Sequence, residues 1–343
     1  MARAKFGSRY LRHYKRYLNV ITPNKRHGGN PLIHHIDPSP ANLQGDISRE
    51  KQPILTIDPG DTIIAATRNC DWMWEVPPSP GVYPRSLKRE DRKDPQHDVG
   101  NCLTGPVAIR GAMPGQTLEV SIDNMRVADY GVSMRGGSHK ERYDKLSLPD
   151  DFAWLHWSLD HDTGIATNKF GHRIKMRPFL GSIGLAPDLP GYHTNMAPYP
   201  TGGNMDCKEL VTGSKLYLPV QVADALLSFG DGHAVQGDGE AGGSSIECPM
   251  EDVTLTFHLL DDMPMAWPAA KTPDAWITFG FGKTVDDAMF IALSGMLDLL
   301  TAKLGISRIE ASMMSSLIID LRVTQLVNPM VGVHAVWPDN ALL

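Results

Sequence analysis

Across the first two-thirds of the chain, apolar and polar positions alternate in short runs punctuated by Gly and Pro. This is the period-two pattern of half-buried strands between turns, and it predicts a β-sandwich or barrel. Pro53-Ile54-Leu55-Thr56-Ile57 and Thr62-Ile63-Ile64-Ala65-Ala66 flank the turn Asp58-Pro59-Gly60-Asp61. Gly105-Pro106-Val107-Ala108-Ile109 and Thr117 to Ile122 flank Gly111-Ala112-Met113-Pro114-Gly115 in the same way, so both units read as hairpins. The strand pattern returns over Lys215–Val222 and Asp252–Leu259.

Between Asp129 and Thr201 the periodicity is lost, and Trp154, His156, Trp157, His161, His172 and His193 are scattered among Gly and Pro. A long irregular stretch of this kind predicts a lid or pocket wall. Near the C-terminus the period becomes helical. Thr284 with Asp287 opens one helix, which runs to Leu304 before Gly305, and Ser307 with Glu310 opens a second that ends near Ile319. Leu321 to Val327 alternates as a last strand before Asn328-Pro329. The organisation expected is a basic arm at 1–30, sandwich strands at 31–128, an irregular pocket or lid at 129–201, a β segment with an acidic loop at 202–262, and an α/β part at 263–343.

Composition narrows the function. The 343 residues are 42% hydrophobic and 21% charged with a net charge of -6, which suits a globular protein and offers no basic field for nucleic acid or an anionic membrane. Arg3, Lys5, Arg9, Arg12, Lys15, Arg16, Lys25 and Arg26 make the N-terminus basic without an acid among them. Tyr10, Tyr14 and Tyr17 break its apolar runs, so it reads as an arm rather than a secretory signal, with a mitochondrial presequence as the alternative. No run reaches the roughly 18 apolar residues of a membrane span. Cys70, Cys102, Cys207 and Cys248 form no C-x-x-C pair, which points to a reducing, cytoplasmic setting and to a metal held by oxygen and imidazole rather than thiolate.

The densest chemistry lies between Ser228 and Glu240, where Asp231, His233, Gln236, Asp238 and Glu240 are spaced by small residues, with Glu247 seven positions on. Crowded carboxylates repel one another unless a cation or shared protons offset them. Imidazole with carboxylates suits zinc or a related divalent ion. Calcium is the alternative, since Asp-x-Asp-Gly loops bind it, although the EF-hand spacing is absent and His233 is a poor calcium ligand. The same Gly-Asp-Gly pattern also serves as a plain exposed turn. A phosphate-binding glycine loop is excluded by the acidic residues, and no G-x-S-x-G elbow marks a serine nucleophile.

GDGHAVQGDGE, followed by SSIE and a strand, resembles the signature of the acetamidase/formamidase family. HHIDPSP, TGPVAIRGAMPGQTLEV, PFLGSIGLAP, TGGNMDCKEL, the helix with Glu310-Ala311, and DLRVTQLVNPMVGVHAVWP agree in order, so the resemblance spans roughly residues 31 to 338. It implies a β-rich, jelly-roll-like sandwich with an α/β C-terminal part, assembly into a homo-oligomer, and hydrolysis of a short amide or a γ-lactam. It also implies metal or active-site roles for Asp206, Asp231, His233, Gln236, Asp238 and Glu240, with Glu247 in the same cluster. On chemical grounds Asp206, Asp231, His233 and Glu247 are assigned to the metal and Glu240 to acid/base work, with Asp238 a further catalytic candidate. The arm and the stretch from Tyr130 to Trp157 depart from the family and leave the substrate open.

The function expected is therefore metal-dependent hydrolysis of an amide C–N bond, with water activated by the cation and a proton supplied to the nitrogen by a carboxylate. A non-catalytic, metal-stabilised β-sandwich binding module is the alternative. Among the remaining candidates, Asp71 is the less bland residue, with facing the metal site as its alternative to a plain surface role, while Trp72 and Trp74 are expected to pack in the core or line an apolar pocket, and His139, His156 and His161 to serve packing or the surface.

Overall fold

A computed structural model describes residues 30–73, 85–135, 140–149 and 151–343. The basic arm up to residue 29, Trp74 and His139 lie outside these residues. Among the described residues a nine-stranded sheet runs in the order Ile33–Ile36, Thr62–Thr67, Met250–Leu260, Thr117–Val127, Lys215–Pro219, Ala269–Lys271, Ala275–Gly282, Val331–Pro338, Asp320–Gln325. A seven-stranded sheet is built around Phe179–Leu185, Leu227–His233 and Leu103–Ile109, and a smaller sheet joins Tyr130–Arg135, Ala153–Asp160, Ile165–Asn168 and Arg173–Lys175. One continuous core takes Ile63, Val120, Leu255 and Phe257 from the large sheet and Val107, Phe179, Ile183 and Phe229 from the second. The expected sandwich is present, with side chains from two inner faces sharing one interior.

The two expected hairpins are not hairpins. Leu55–Ile57 pairs in parallel with Leu103–Ile109, whereas Thr62–Thr67 pairs with Ile33–Ile36 and Met250–Leu260 in the other sheet. Leu103–Ile109 likewise pairs with Leu227–His233, while Thr117–Val127 joins Met250–Leu260 and Lys215–Pro219. The Asp58–Asp61 turn closes as expected, with Asp61 N–H donating to the Asp58 carbonyl at 3.0 Å. Each turn is a corner from sheet to sheet, because turn chemistry reverses or bends the chain without choosing its ladder partner.

The described residues between 129 and 201 are not irregular either. They hold the smaller sheet and Phe179–Leu185, a fully buried strand of the second sheet. Ala-Trp-Leu-His-Trp hides its period because aromatic, imidazole and aliphatic groups share both faces. The helices follow their signals closely: Val285–Leu304 is capped by Thr284, whose hydroxyl accepts from Asp287 N–H, and ends at Gly305 with φ 66°. Arg308–Ile318 carries the full Ser307/Glu310 capping box. The first of these helices buries Ala288, Ala292, Met296 and Leu300 against Val333 and Ala335. The strand expected to be last is followed by another, Val331–Pro338, which pairs with it and with Ala275–Gly282. Among the described residues, no single helix is long and apolar enough to cross a membrane.

Candidate active site

The acidic segment is an exposed turn only at its far end. Leu227–His233 is a buried strand of the second sheet, and Asp231, at φ 57°, and His233 are both almost inaccessible, at 3% and 2% exposure. Gly232 is required between them, since a Cβ there would fall 2.6 Å from the Cys248 carbonyl oxygen. On the neighbouring strand, a Cβ on Gly181 would lie 2.6 Å from Asp206 Oδ1, 2.7 Å from Asp231 Oδ2 and 2.7 Å from His233 Cε1. The absent side chain leaves the room in which these three groups meet.

Asp206, at φ 50°, follows the strand Gly202–Asn204. Its Oδ2 accepts from Asn328 Nδ2 at 2.6 Å and its backbone N–H donates to the Gly181 carbonyl. Asp231 Oδ2 accepts from Asn101 Nδ2 at 3.0 Å and from the Ser182 hydroxyl at 3.3 Å. Glu247 enters from an adjoining segment, held by backbone exchange with Val132 and by the Ser245 N–H and hydroxyl on its Oε1. Its Oε2 lies 2.9 Å from His233 Nε2, with Asp231 Oδ1 3.4 Å from the same nitrogen. Cys70 Sγ reaches Glu247 Oε2 at 3.6 Å. Glu240, with φ 46°, is buried, and among the described residues its Oε2 finds no hydrogen-bond partner. His233 Nδ1 and Gln236 Oε1 are likewise buried without partners, although Gln236 Nε2 donates to the Asp206 carbonyl.

Four carboxylates, Asp206, Asp231, Glu240 and Glu247, thus share this interior with one imidazole. Their other hydrogen-bond partners are neutral amides, hydroxyls, backbone N–H groups and a thiol. Burial, then the Asp231 charge, push the Asp206 carboxyl up to about 8. Burial and Asp206 push Glu240 well above the carboxylate range, and burial raises Asp231 despite His233. Burial also opposes the Glu247 charge, but His233 and the Ser245 hydrogen bonds outweigh it and bring Glu247 down to about 2. The imidazole is the counterpart: burial disfavours its charge, yet Glu247 and Asp231 hold its pKa well above the usual value.

Asp206, Asp231 and His233 place ligand atoms within 4.8 Å of one another, as do Cys70, Asp231 and Glu247. The unpartnered His233 Nδ1 and Glu240 Oε2, together with the surplus of negative charge, fit a divalent cation. Asp238 does not join the cluster. It is exposed and pairs with Lys208 at 3.0 Å, because Gly237 and Asp238 form the outer side of the turn that carries Glu240 inward. Asp71 is also exposed and borders an open cleft of about 510 Å3, whereas Cys70 beside it faces Glu247. Trp72 packs with Leu43 and Cys102 and also lines that cleft, while the His156 ring stacks on Tyr130. Sequence reasoning assigned no role to Asn101, Ser182, Asn328, Gly181 or Cys70. Ser182, Gly181 and Asn328 lie in the motifs PFLGSIGLAP and VNPM, where their only signal was membership of a family-like string.

Fold and cluster together define a two-sheet sandwich with a buried carboxylate–imidazole site, and the comparisons identify its family. The sequence profile of the Acetamidase/Formamidase family matches residues 193–329. A provisionally named formamidase of Schizosaccharomyces pombe is 38% identical over 305 residues, covering 68% of this chain and 70% of that one. The crystal structure of an acetamidase from Bacillus halodurans superposes with a TM-score of 0.76 at 28% identity, over 89% of this chain and 97% of that one. An acetamidase from Yersinia enterocolitica gives a TM-score of 0.78 at 25% identity, over 94% and 97%. The chain belongs to the acetamidase/formamidase family, and acts on non-peptide C–N bonds.

Proposed function

We propose that the protein is a divalent-metal-dependent amidase for a small linear amide of the formamide or acetamide kind, with a γ-lactam as the cyclic counterpart. The observation that carries this reading is the burial of four carboxylates around a single imidazole, with His233 Nδ1 and Glu240 Oε2 left without partners. Asp206, Asp231, His233 and Glu247 would hold the cation, zinc by donor chemistry. A bound cation supplies Lewis-acid polarisation of the amide carbonyl and acidifies water.

Glu240 moves the proton. Burial and the Asp206 charge raise its pKa, so its carboxyl holds a proton more tightly than an ordinary carboxyl and can deliver it to an amide nitrogen that is otherwise a poor leaving group, and recover one from the attacking water. Gln236 Oε1, free and buried, can accept an amide N–H and orient the substrate. The cleft bounded by Asp71, Trp72, Val99 and Gly100 supports a way in from this side, since these residues are next in sequence to Cys70 and Asn101, which touch Glu247 and Asp231. Ammonia release from formamide, acetamide and a γ-lactam, measured alongside metal content, tests the proposal. A protein that turns over these amides at full rate after thorough chelation would refute the metal's part in it.

A further inference from the structure

One residue beyond Asp206 begins a second buried cluster that the amidase chemistry leaves unused. Cys207, Glu209 and His334 are 0%, 5% and 0% exposed, and one ligand atom from each lies within 4.8 Å of the others. We propose that these three residues bind a second divalent cation of the zinc class, through Cys207 Sγ, Glu209 Oε2 and His334 Nε2.

The spacing suits a cation. Cys207 Sγ lies 3.4 Å from Glu209 Oε2, and His334 Nε2 lies 3.5 Å from the same oxygen. Tetrahedral zinc, with bonds of about 2.3 Å to sulfur and about 2.0 Å to nitrogen or oxygen, sets sulfur and oxygen about 3.5 Å apart and nitrogen and oxygen about 3.3 Å apart. The remaining atoms of each side chain are already engaged. His334 Nδ1 is 2.8 Å from the Thr324 hydroxyl, which leaves Nε2 as the free nitrogen, and Nε2 is buried without a hydrogen-bond partner. Arg322 Nη1 takes the other carboxylate oxygen, Glu209 Oε1, at 3.3 Å. A metal-binding histidine is ordinarily held in this way through its second nitrogen, and a ligating carboxylate through its second oxygen.

The thiol is free as well, since Cys207 is in no disulfide. Binding displaces its proton to solvent and leaves a thiolate, a carboxylate and a neutral imidazole around the ion. The neighbouring cations are already occupied, Arg322 by Glu209 and Lys208 by Asp238. Such a site would join the segment carrying Asp206 to Val331–Pro338, the strand on which the long C-terminal helix packs. Its role would be structural, and it does not depend on the amidase reading.

Cobalt decides the matter. Full-length protein is stripped with a chelator and saturated with Co2+, and its near-ultraviolet spectrum is examined for thiolate-to-cobalt charge transfer. The wild type should show the band. Cys207→Ser should lose it together with one equivalent of bound cobalt, while Asp231→Asn should lose a different equivalent and keep the band. Should Cys207→Ser fail to fold, His334→Gln should likewise lose the band. A wild-type protein without charge transfer at saturation overturns the proposal, and so does a band that survives Cys207→Ser, which would assign the thiolate to Cys70. Loss of metal from Asp231→Asn bears only on the amidase site, so the two readings fail separately.

Discussion

Asp206 and Glu209 stand three residues apart in the chain, yet the clusters they enter handle charge in opposite ways. Around Glu209, the Arg322 guanidinium balances the carboxylate, and a thiol and an imidazole complete the group. Around Asp206 there are, among the described residues, three further buried carboxylates with His233 to offset them. A balanced group can be buried for structure at modest cost, whereas a surplus of one sign is retained only where a ligand or a reaction needs it. The difference locates chemistry at Asp206 and framework at Glu209.

The sharpest way to break that contrast is to remove the proton carrier. Glu240→Gln keeps size and polarity, and turnover is expected to fall by about 100- to 10,000-fold with metal content unchanged. Steady-state kinetics and metal analysis check it. If the metal site empties instead and activity returns when metal is resupplied, Glu240 is a ligand. Next in size is Gly181→Ala, whose Cβ would intrude to within 2.6 to 2.7 Å of Asp206, Asp231 and His233. Displaced site groups should lower kcat by about 100-fold, and overpacking should cost about 1–3 kcal/mol in denaturant unfolding. Unchanged kinetics would show that the room at Gly181 is not needed.

Metal removal should reveal the surplus as a pH dependence. In the metal-free protein, Asp206, raised to about 8, and Glu240, also raised, bind protons that the unfolded chain has released above about pH 4. Stability should therefore fall as pH rises from about 4 to about 8, and bound cation should flatten the slope. Glu247, lowered to about 2, has the opposite sign: its contribution is present above about pH 4 and disappears as pH falls to about 2. Urea midpoints with and without zinc test this, and identical slopes would count against a cation at these carboxylates. The smallest effect is expected at Asp238→Asn, where loss of the exposed Lys208 pair should cost about 0.2–1 kcal/mol and leave turnover intact. A large loss of rate there would return Asp238 to the mechanism.

Much of the site was legible before the structure. Asp231, His233, Glu240 and Glu247 stood out because acidic and imidazole side chains crowded among glycines have few inexpensive explanations, and Asp206 through its place in the family-like string TGGNMDCKEL; all five are buried. Asp238 was misread because Gln236 and Glu240, two positions to either side, are buried while it turns out with Gly237, and one residue of a turn cannot be told from the next by type. Gly181 was invisible as a functional residue, since its part is to leave space, and space is a property of what lies opposite.

The amino-acid sequence by itself determined the local events: Thr284, Ser307, Glu310 and Gly305 start and stop the two helices because each satisfies backbone groups within a few residues of itself. It also determined the strand-rich character and the residue types of the site. Only the tertiary structure decided that Leu55–Ile57 and Thr62–Thr67 part into different sheets, that Glu247 meets His233, and that Cys207 and Glu209 meet His334 more than a hundred positions away. Those pairings depend on which buried faces fill one another's volume, and no period or turn signal along the chain encodes that choice.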